Sequence, residues 1–343
     1  MYIFAIESSC DETSVAVLKD FEVMKLLISS QKIHNEFGGI VPELASRIHI
    51  TNINHLTDNF FQDSEIKKNN IGLVAATQGP GLIGSLLVGY NFAKSFAISL
   101  DIPFLPVNHI ESHIYSCFIG REKIEFPFLA LVVSGGHTLI YFVDDYFKHK
   151  LIGQTQDDAA GEAFDKVAKM LGLTYPGGPV IDELAKDGDE NFHEFPVSEI
   201  KGKDYGFSFS GIKTSVLYFL KKNFPIDKPN EREIKNICAS FQKAIVKDLF
   251  HKTFKAASRL GVKTICISGG VSANSYLRNK FTELEKNNFK ILFPEKKYST
   301  DNAAMVGYTA YLTSKFSKKY KSKIESSLFE QPFPRLDIKR KHS

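Results

Sequence analysis

Residues 128–143 read Phe128-Leu129-Ala130-Leu131-Val132-Val133-Ser134-Gly135-Gly136-His137-Thr138-Leu139-Ile140-Tyr141-Phe142-Val143. The stretch 128–133 is uninterrupted apolar sequence, the pattern of a strand covered on both faces. It breaks at Ser134-Gly135-Gly136, and a second strand follows at 138–143. So short a turn permits only an antiparallel return. A third strand is expected over 150–154. The N-terminus carries the same design: Tyr2-Ile3-Phe4-Ala5-Ile6-Glu7, a break at Ser8-Ser9-Cys10-Asp11-Glu12, a strand over 13–18 and another over 23–29.

Helical sequence follows each set. Val41, Leu44, Ile48, Leu56 and Phe60 recur at helical spacing over 41–60, and 82–100 is a second apolar helix. After the second set, helices are expected over 159–171, 179–186, 212–222 and 231–260. A strand over 264–267 then leads into Ser268-Gly269-Gly270, followed by a helix over 274–286, a strand over 290–293 and a last helix over 301–316. From Ser317 the chain is Lys-rich and expected to be partly loose.

The 343 residues suggest about two domains at roughly 150 residues each. With 43% hydrophobic and 24% charged residues, the composition excludes disordered, collagen-like and repetitive chains. A net charge of +4 permits nucleic-acid contact without demanding it. Cys10, Cys117, Cys238 and Cys266 form no CxxC pair, which argues against a thiolate zinc site or a disulfide scaffold and for a reducing, cytoplasmic setting. The N-terminus reads as a strand rather than a signal peptide, and no apolar run approaches the ~20 residues of a membrane span.

Two strand–turn–strand hairpins can face each other across a cleft and clamp phosphates with their backbone N–H groups, or can be ordinary hairpins. Gly79-Pro80-Gly81-Leu82-Ile83-Gly84 matches GxGxxG, but Asp101 precedes the next apolar run instead of ending it, where a ribose-binding carboxylate belongs. Glycines for close helix–sheet packing, or an anion-binding helix start, fit better. In Ser268-Gly269-Gly270-Val271-Ser272-Ala273-Asn274, adjacent glycines let a flat ring lie against the backbone. Asn274 either bonds a ligand or caps the next helix.

His109 and His113 stand four apart in Asn108-His109-Ile110-Glu111-Ser112-His113, so on a helix both imidazoles reach one metal ion. Glu111 occupies the wrong place for HExxH and points away from that face. Asp301 can supply a third ligand, or can cap the last helix.

Taken together, these motifs resemble the bacterial-type tRNA N6-adenosine threonylcarbamoyltransferase family of the actin/Hsp70/sugar-kinase (ASKHA) superfamily. The resemblance runs from about residue 2 to about residue 330. It is carried by 7–13, 79–82, 109–113, 133–138, 161–166 (Gly161-Glu162-Ala163-Phe164-Asp165-Lys166) and 175–179 (Tyr175-Pro176-Gly177-Gly178-Pro179). Residues 207–211, Lys213-Thr214, 269–274 and 300–302 complete it. Where the family usually has glycine between the glutamate and the second histidine, this chain has Ser112, a small residue expected to leave the site intact.

The resemblance implies an α/β fold of two duplicated actin-like lobes, each a mixed sheet flanked by helices, with the ligand cleft between them. Residues 1–108 plus 300–328 would form lobe I, closed by the last helix. Residues 109–299 would form the adenylate-binding lobe II, and 329–343 a basic tail. It further implies that His109, His113 and Asp301 hold one iron (Fe2+) or zinc ion per subunit, with Mg2+ where ATP binds. Val132, Val133, Ser134, Gly135, Gly136, Asp165, Gly178, Asp182 and Asn274 would bind the adenylate, and Asp11 and Glu12 would be the catalytic carboxylates. The implied reaction moves a threonylcarbamoyl group from threonylcarbamoyl-AMP to N6 of the adenosine at tRNA position 37, beside the anticodon, in tRNAs reading codons that begin with adenine. The implied partners are tRNA, a paralogous, catalytically empty subunit forming a heterodimer and a small ATPase (TsaB and TsaE types), with no membrane. Lys67-Lys68, Lys296-Lys297, Lys318-Lys319, Lys321 and Lys323 are candidates for guiding the tRNA backbone. Two rivals remain at this stage: a nucleotide-dependent kinase or ATPase, resting on the hairpins, and a metalloprotease, resting on the histidine pair.

Overall fold

A computed structural model describes residues 1–62, 65–197, 200 and 202–335. The first sheet contains β1 (Tyr2–Glu7), β2 (Glu12–Lys19), β3 (Glu22–Ser30), β4 (Ile71–Gly79) and β5 (Phe104–Asn108), in the order β3-β2-β1-β4-β5. The second contains β6 (Phe128–Val133), β7 (Thr138–Asp145), β8 (Lys148–Gln154), β9 (Thr264–Ser268) and β10 (Lys290–Leu292), in the order β10-β9-β6-β7-β8. The two orders are the same pattern. In each sheet the first three strands form antiparallel pairs, and the last two add in parallel on the other side of the first. The hairpin duplication legible in the sequence is therefore a duplication of whole five-stranded sheets.

The connections supply α1 (His34–Phe37), α2 (Pro42–Gln62), α3 (Ile83–Ser99) and α4 (His109–Ser116) in the first part. Next come α5 (Ala160–Met170), α6 (Gly177–Ala185), α7 (Ser210–Asn223), α8 (Glu231–Leu260) and α9 (Ser275–Thr282), and the chain ends with α10 (Ala303–Phe316) and α11 (Tyr320–Ser327). Alternate residues of β1 enter different cores. Phe4 and Ile6 pack with the apolar faces of α2 and α3, while Ile3 and Ala5 face α4 and α10. On β6, Phe128, Ala130 and Val132 join that same middle core, and Leu129, Leu131 and Val133 face α5 and α8. Both strands are buried on two faces, which is why neither shows polar alternation. The result is a layered sandwich with α4 and α10 wedged between the sheets. Helix α4 touches β4 and β5 on one side and β6 and β9 on the other.

Several expectations are corrected. The helix expected over 301–316 is α10 and begins at Ala303, because Asn302 rather than Asp301 caps it, accepting from Met305 N at 3.0 Å; it is not the last, since α11 follows. The helix expected over 274–286 is α9 followed by a tighter 3-10 turn, Glu283–Asn287. The chain after Ser317 is not loose within the described residues. Tyr320 and Ile324 pack against the middle core despite their lysine neighbours, and Phe316 stacks on Tyr146 at 4.0 Å. Residues 328–335 then strap the end of β4. Phe333 N donates to Gln78 O (3.1 Å), Gly81 N donates to Pro334 O (3.2 Å), and Lys94 Nζ donates to Leu328 O and Glu330 O (both 3.0 Å). The end of the basic tail, 336–343, lies outside the described residues.

Asp101 lies in the left-handed turn before β5, at φ 54°, and not at the end of that strand, as the reading against a dinucleotide fingerprint requires. Deleting residues 330–343 removes the strap's bonds to Gln78 and Gly81, each worth about 1 kcal/mol. Calorimetry should then show a midpoint lowered by several degrees, at about 2–4 °C per kcal/mol. An unchanged midpoint would mean that the strap contributes nothing.

Candidate active site

The site begins where β5 becomes α4. The side chain of Asn108 caps the helix, accepting from Ile110 N (2.8 Å) and Glu111 N (3.0 Å), so the helix starts at His109. One helical turn separates His109 from His113, and their ring centres lie 4.6 Å apart. Asp301 reaches them from the turn before α10. Its Oδ1 is 3.0 Å from His113 Nε2 and 3.6 Å from His109 Nε2. Asn302 fixes that turn by donating to Tyr298 O and Thr300 O, which leaves Asp301 free to point inward.

Glu7, at the end of β1, organises the other side of His109. Its Oε2 lies 3.1 Å from His109 Nδ1 and accepts from Thr77 Oγ1 at 2.6 Å, while Oε1 accepts from Ser9 N at 2.5 Å. Because the carboxylate accepts, His109 Nδ1 carries a proton on the Glu7 side, and Nε2 is the nitrogen that faces Asp301 and would ligate a metal ion. Burial disfavours charge on His109, yet Asp301 and Glu7 overcome it and bring the imidazole up to about 9. Burial likewise opposes ionisation of Asp301, but His109 and His113 hold its carboxyl well below the usual range. The pocket is built to hold positive charge. Its candidate donor set of two imidazoles and one carboxylate, all within 4.8 Å of one another, fits a transition-metal ion.

Ser112 is accommodated as expected: its hydroxyl is buried and donates to Asn108 O at 3.0 Å. Glu111 faces the other way, 3.7 Å from His149 Nδ1, so it cannot serve as a protease base beside the histidine pair.

Asp11 and Glu12 sit half-buried on the first hairpin. Burial, together with Asp11 and Asp301, pushes the Glu12 carboxyl well above the usual carboxylate range. The same surroundings push up the Cys10 thiol, so it is no thiolate nucleophile. Tyr175, on the second lobe, feels Asp11 and Glu12 electrostatically, and His137 feels His109, His113 and Asp301; the two lobes therefore meet here.

Across the cleft, Ser134 N donates to His137 O at 2.8 Å and closes the second hairpin. Gly269, at φ +88°, lies so close to Val133 that a Cβ would stand 2.4 Å from its carbonyl oxygen; only glycine fits. A Cβ at Gly135, Gly136, Gly178 or Gly270 would meet nothing within 4 Å, so these four backbone positions border open space. Val132 and Val133 point their side chains into the cores and can offer only backbone. Asp165 accepts from Gly177 N at 2.7 Å, and burial, outweighing backbone donors at Gly177 and Gly178, brings its carboxyl up to about 6. Asp182 binds Ser275 N (3.0 Å) and Oγ (2.9 Å), joining α6 to α9. Asn274 caps α9 and donates to Gln242 Oε1 at 2.6 Å. These last two residues brace the glycine ring.

Sequence reasoning assigned no role to Glu7, Thr77 or His137. A lone carboxylate ending an apolar strand was the available sign for Glu7, and the Ser-Gly-Gly-His turn for His137. Burial, His109 and His113 hold His137 down at about 4, so it stays neutral beside the site. Of the lysines expected to guide tRNA, Lys296-Lys297 directly precede the Asp301 turn. Lys67-Lys68 precede β4, whose start pairs with Tyr2 at the sheet end opposite Glu7. A separate hollow of about 710 Å³ lies beside α8, where Lys243, Lys252 and Lys255 are paired with Glu190, Asp248 and Asp204.

Glu7→Gln should weaken metal binding about 10–100-fold, as loss of a ligand's outer partner does. Asp301→Ala should abolish stoichiometric binding. Elemental analysis and chelator competition measure both, and unaltered affinity in Glu7→Gln would refute the tuning role.

A family model described as "TsaD: tRNA N6-adenosine threonylcarbamoyltransferase" matches residues 22–308. A tRNA N6-adenosine threonylcarbamoyltransferase of Thermosipho africanus is 48% identical over 340 residues, spanning 98% of this chain and 100% of that protein. Its counterpart in Chlorobium phaeobacteroides is 51% identical over 325 residues, spanning 91% and 92%. The crystal structure of T. kodakarensis HypF superposes with a TM-score of 0.64 at 14% identity, covering 94% of this chain and 49% of that one. That likeness concerns the fold alone.

Proposed function

This chain belongs to the tRNA N6-adenosine threonylcarbamoyltransferase family, and from that premise we propose how its cleft performs the transfer. The enzyme moves a threonylcarbamoyl group to N6 of an adenosine in tRNA. The observation carrying this reading is near-full-length identity to transferases of that name, 48% across 98% of the chain. In our reading the donor is threonylcarbamoyl-AMP and the acceptor is the adenosine at position 37.

The open glycine ring of the second lobe receives the adenylate. Backbone at 132–136 and 269–270 lies along it, the Asp165 carboxylate accepts from its hydroxyls, and Asp182 and Asn274 keep the ring in shape. The acceptor amine is a weak nucleophile because its lone pair is shared with the purine. As N6 attacks the carbamoyl carbon, the C–O bond to the phosphate breaks and AMP leaves. Asp11 or Glu12 takes the proton that N6 sheds. His109, His113 and Asp301 would hold an iron or zinc ion, and such an ion would supply Lewis-acid stabilisation of developing negative charge. Burial raises the proton affinity of the Glu12 carboxyl, which strengthens it as a base in its ionised form.

In this proposal, 1–108 with 300–328 forms lobe I and 109–299 forms lobe II, with the tail from 329 as a basic extension. A paralogous, catalytically empty subunit and a small ATPase assist, and Mg2+ accompanies ATP. Among the described residues no helix is long and apolar enough to cross a membrane, and we place the reaction in the cytoplasm. The misplaced Glu111 leaves the protease reading without a base.

The test is transfer itself. Purified chain, its partners, threonylcarbamoyl-AMP and unmodified tRNA are combined, and nucleosides are read by mass spectrometry. Wild type should yield modified adenosine and His109→Ala none. Asp11→Asn or Glu12→Gln should lose about 10²–10⁴-fold in turnover if that residue is the base. No product from wild type with active partners would sink the function.

Asp165 gives a pH signature. Its carboxyl, raised to about 6, is protonated below that pH and then loses the charge that strengthens its bonds to ligand hydroxyls. Adenosine, which carries no phosphate to titrate, should bind more weakly as pH falls through 6. In Asp165→Asn calorimetry should find weak binding with no such step; a step that persists would exclude Asp165 as its source.

A further inference from the structure

Pairing between β1 and β2 ends at Glu7 with Ser14, so 8–13 project beyond the β1 edge; on the other side β3 still pairs Glu12 with Ser30 and Thr13 with Ser29, and Gln31 N donates to Asp11 O at 3.3 Å. Within that projection stand Asp11 and Glu12. One side chain from another element grips both flanks of the pair. His49, fully buried on α2, has Nε2 2.9 Å from Cys10 O and Nδ1 2.7 Å from Thr13 Oγ1.

The chemistry fixes the ring. A carbonyl oxygen only accepts, so Nε2 carries the hydrogen and Nδ1 is left to accept from the Thr13 hydroxyl. Burial lowers the basicity of His49 and keeps it in this neutral, one-donor form. Helix α2 is itself held in place. Gln31 Nε2 donates to Ala45 O at 3.2 Å, Gln31 Oε1 meets His34 Nε2 at 2.9 Å, and Val41 N donates to His34 Nδ1 at 3.3 Å, which closes the connection from β3. The imidazole therefore transmits the position of a packed helix to the backbone on each side of the two carboxylates.

We infer that His49 is a positioning residue for the transfer reaction, setting where the Asp11 and Glu12 carboxylates stand by clamping Cys10 and Thr13 from behind. The inference rests on the reading that one of those carboxylates takes the N6 proton. The hydrogen bonds of His49 go to Cys10 and Thr13 and to none of the candidate metal ligands, so its loss should slow the chemical step and leave binding alone.

The experiment is a double-mutant cycle on the assembled enzyme, with kcat, KM for tRNA, metal content and thermal midpoint read for each variant. His49→Ala should lower kcat about 10- to 100-fold, the scale of a misplacement of about 1 Å, with KM and metal content as in wild type. His49→Gln retains a donor able to reach Cys10 O and should recover most of the loss. Placed on whichever of Asp11→Asn and Glu12→Gln is slow, His49→Ala should add almost nothing, because its target is already gone. A fully additive loss, a fall in metal content, or equal defects in His49→Ala and His49→Gln would overturn the inference. Should His49→Ala fail to fold, Thr13→Val removes the Nδ1 partner alone and should show the same kcat-only defect; a defect in KM instead would count against the clamp. If Asp11→Asn and Glu12→Gln both turn over normally, the carboxylate reading fails and this one with it. If either is slow and His49→Ala is not, only the clamp fails.

Discussion

The contact between Glu7 and His109, 3.1 Å and wholly buried, is the constraint on which the rest of the site depends. It exists because β1, β4 and β5 run parallel and end at one edge, so Glu7, Thr77 and Asn108 arrive side by side. A carboxylate there is costly unless its lone pairs are occupied. Thr77 and Ser9 occupy what His109 does not. Satisfied in this way, Glu7 dictates which nitrogen of His109 is protonated. That leaves the other free for a metal ion, and Asp301 completes a pocket whose buried charges call for a cation.

The same edge recurs in the second lobe, where β6 and β9 are parallel and end at Val133 and Ser268. There the chain puts glycines rather than titratable groups. The first lobe's edge carries charge, and the second lobe's edge exposes bare backbone at Gly135, Gly136 and Gly270. The two sheets share one strand order and so present two equivalent rims that differ in the side chains they carry. Helices α4 and α10, sandwiched between the sheets, hold the rims in register.

What the sequence revealed and what it hid follow from the range of each signal. Strands β1 and β6 were legible because burial on both faces leaves an unbroken apolar run, and the turns after them because Ser and Gly interrupt that run. His109 and His113 were legible because a helix converts a spacing of four into a shared face. Glu7 was not, because its partner lies 102 residues away and no local period links them. Asp182 and Asn274 were expected at the ligand; their bonds to Ser275, Leu277 and Gln242 depend on how α6, α8 and α9 pack, which local sequence does not encode. Lysines around Tyr320 and Ile324 masked two apolar residues that anchor α11.

Asp301 shows why the chain's far end belongs to the first lobe's chemistry. It stands 188 residues beyond His113 and meets it because α10 returns to pack on β1, β2 and α4. The third candidate ligand thus reaches the histidine pair only when α10 has docked. The strap of residues 328–335 extends the same logic, since it bonds to Gln78 and Gly81, and Leu82 N in turn donates to Ser9 O at 2.8 Å. Ser9 Oγ lies 3.3 Å from His109 Nδ1. A continuous set of bonds therefore runs from Pro334 through Gly81, Leu82 and Ser9 to His109, the first metal-ligand candidate, so the geometry there depends on a segment far along the chain.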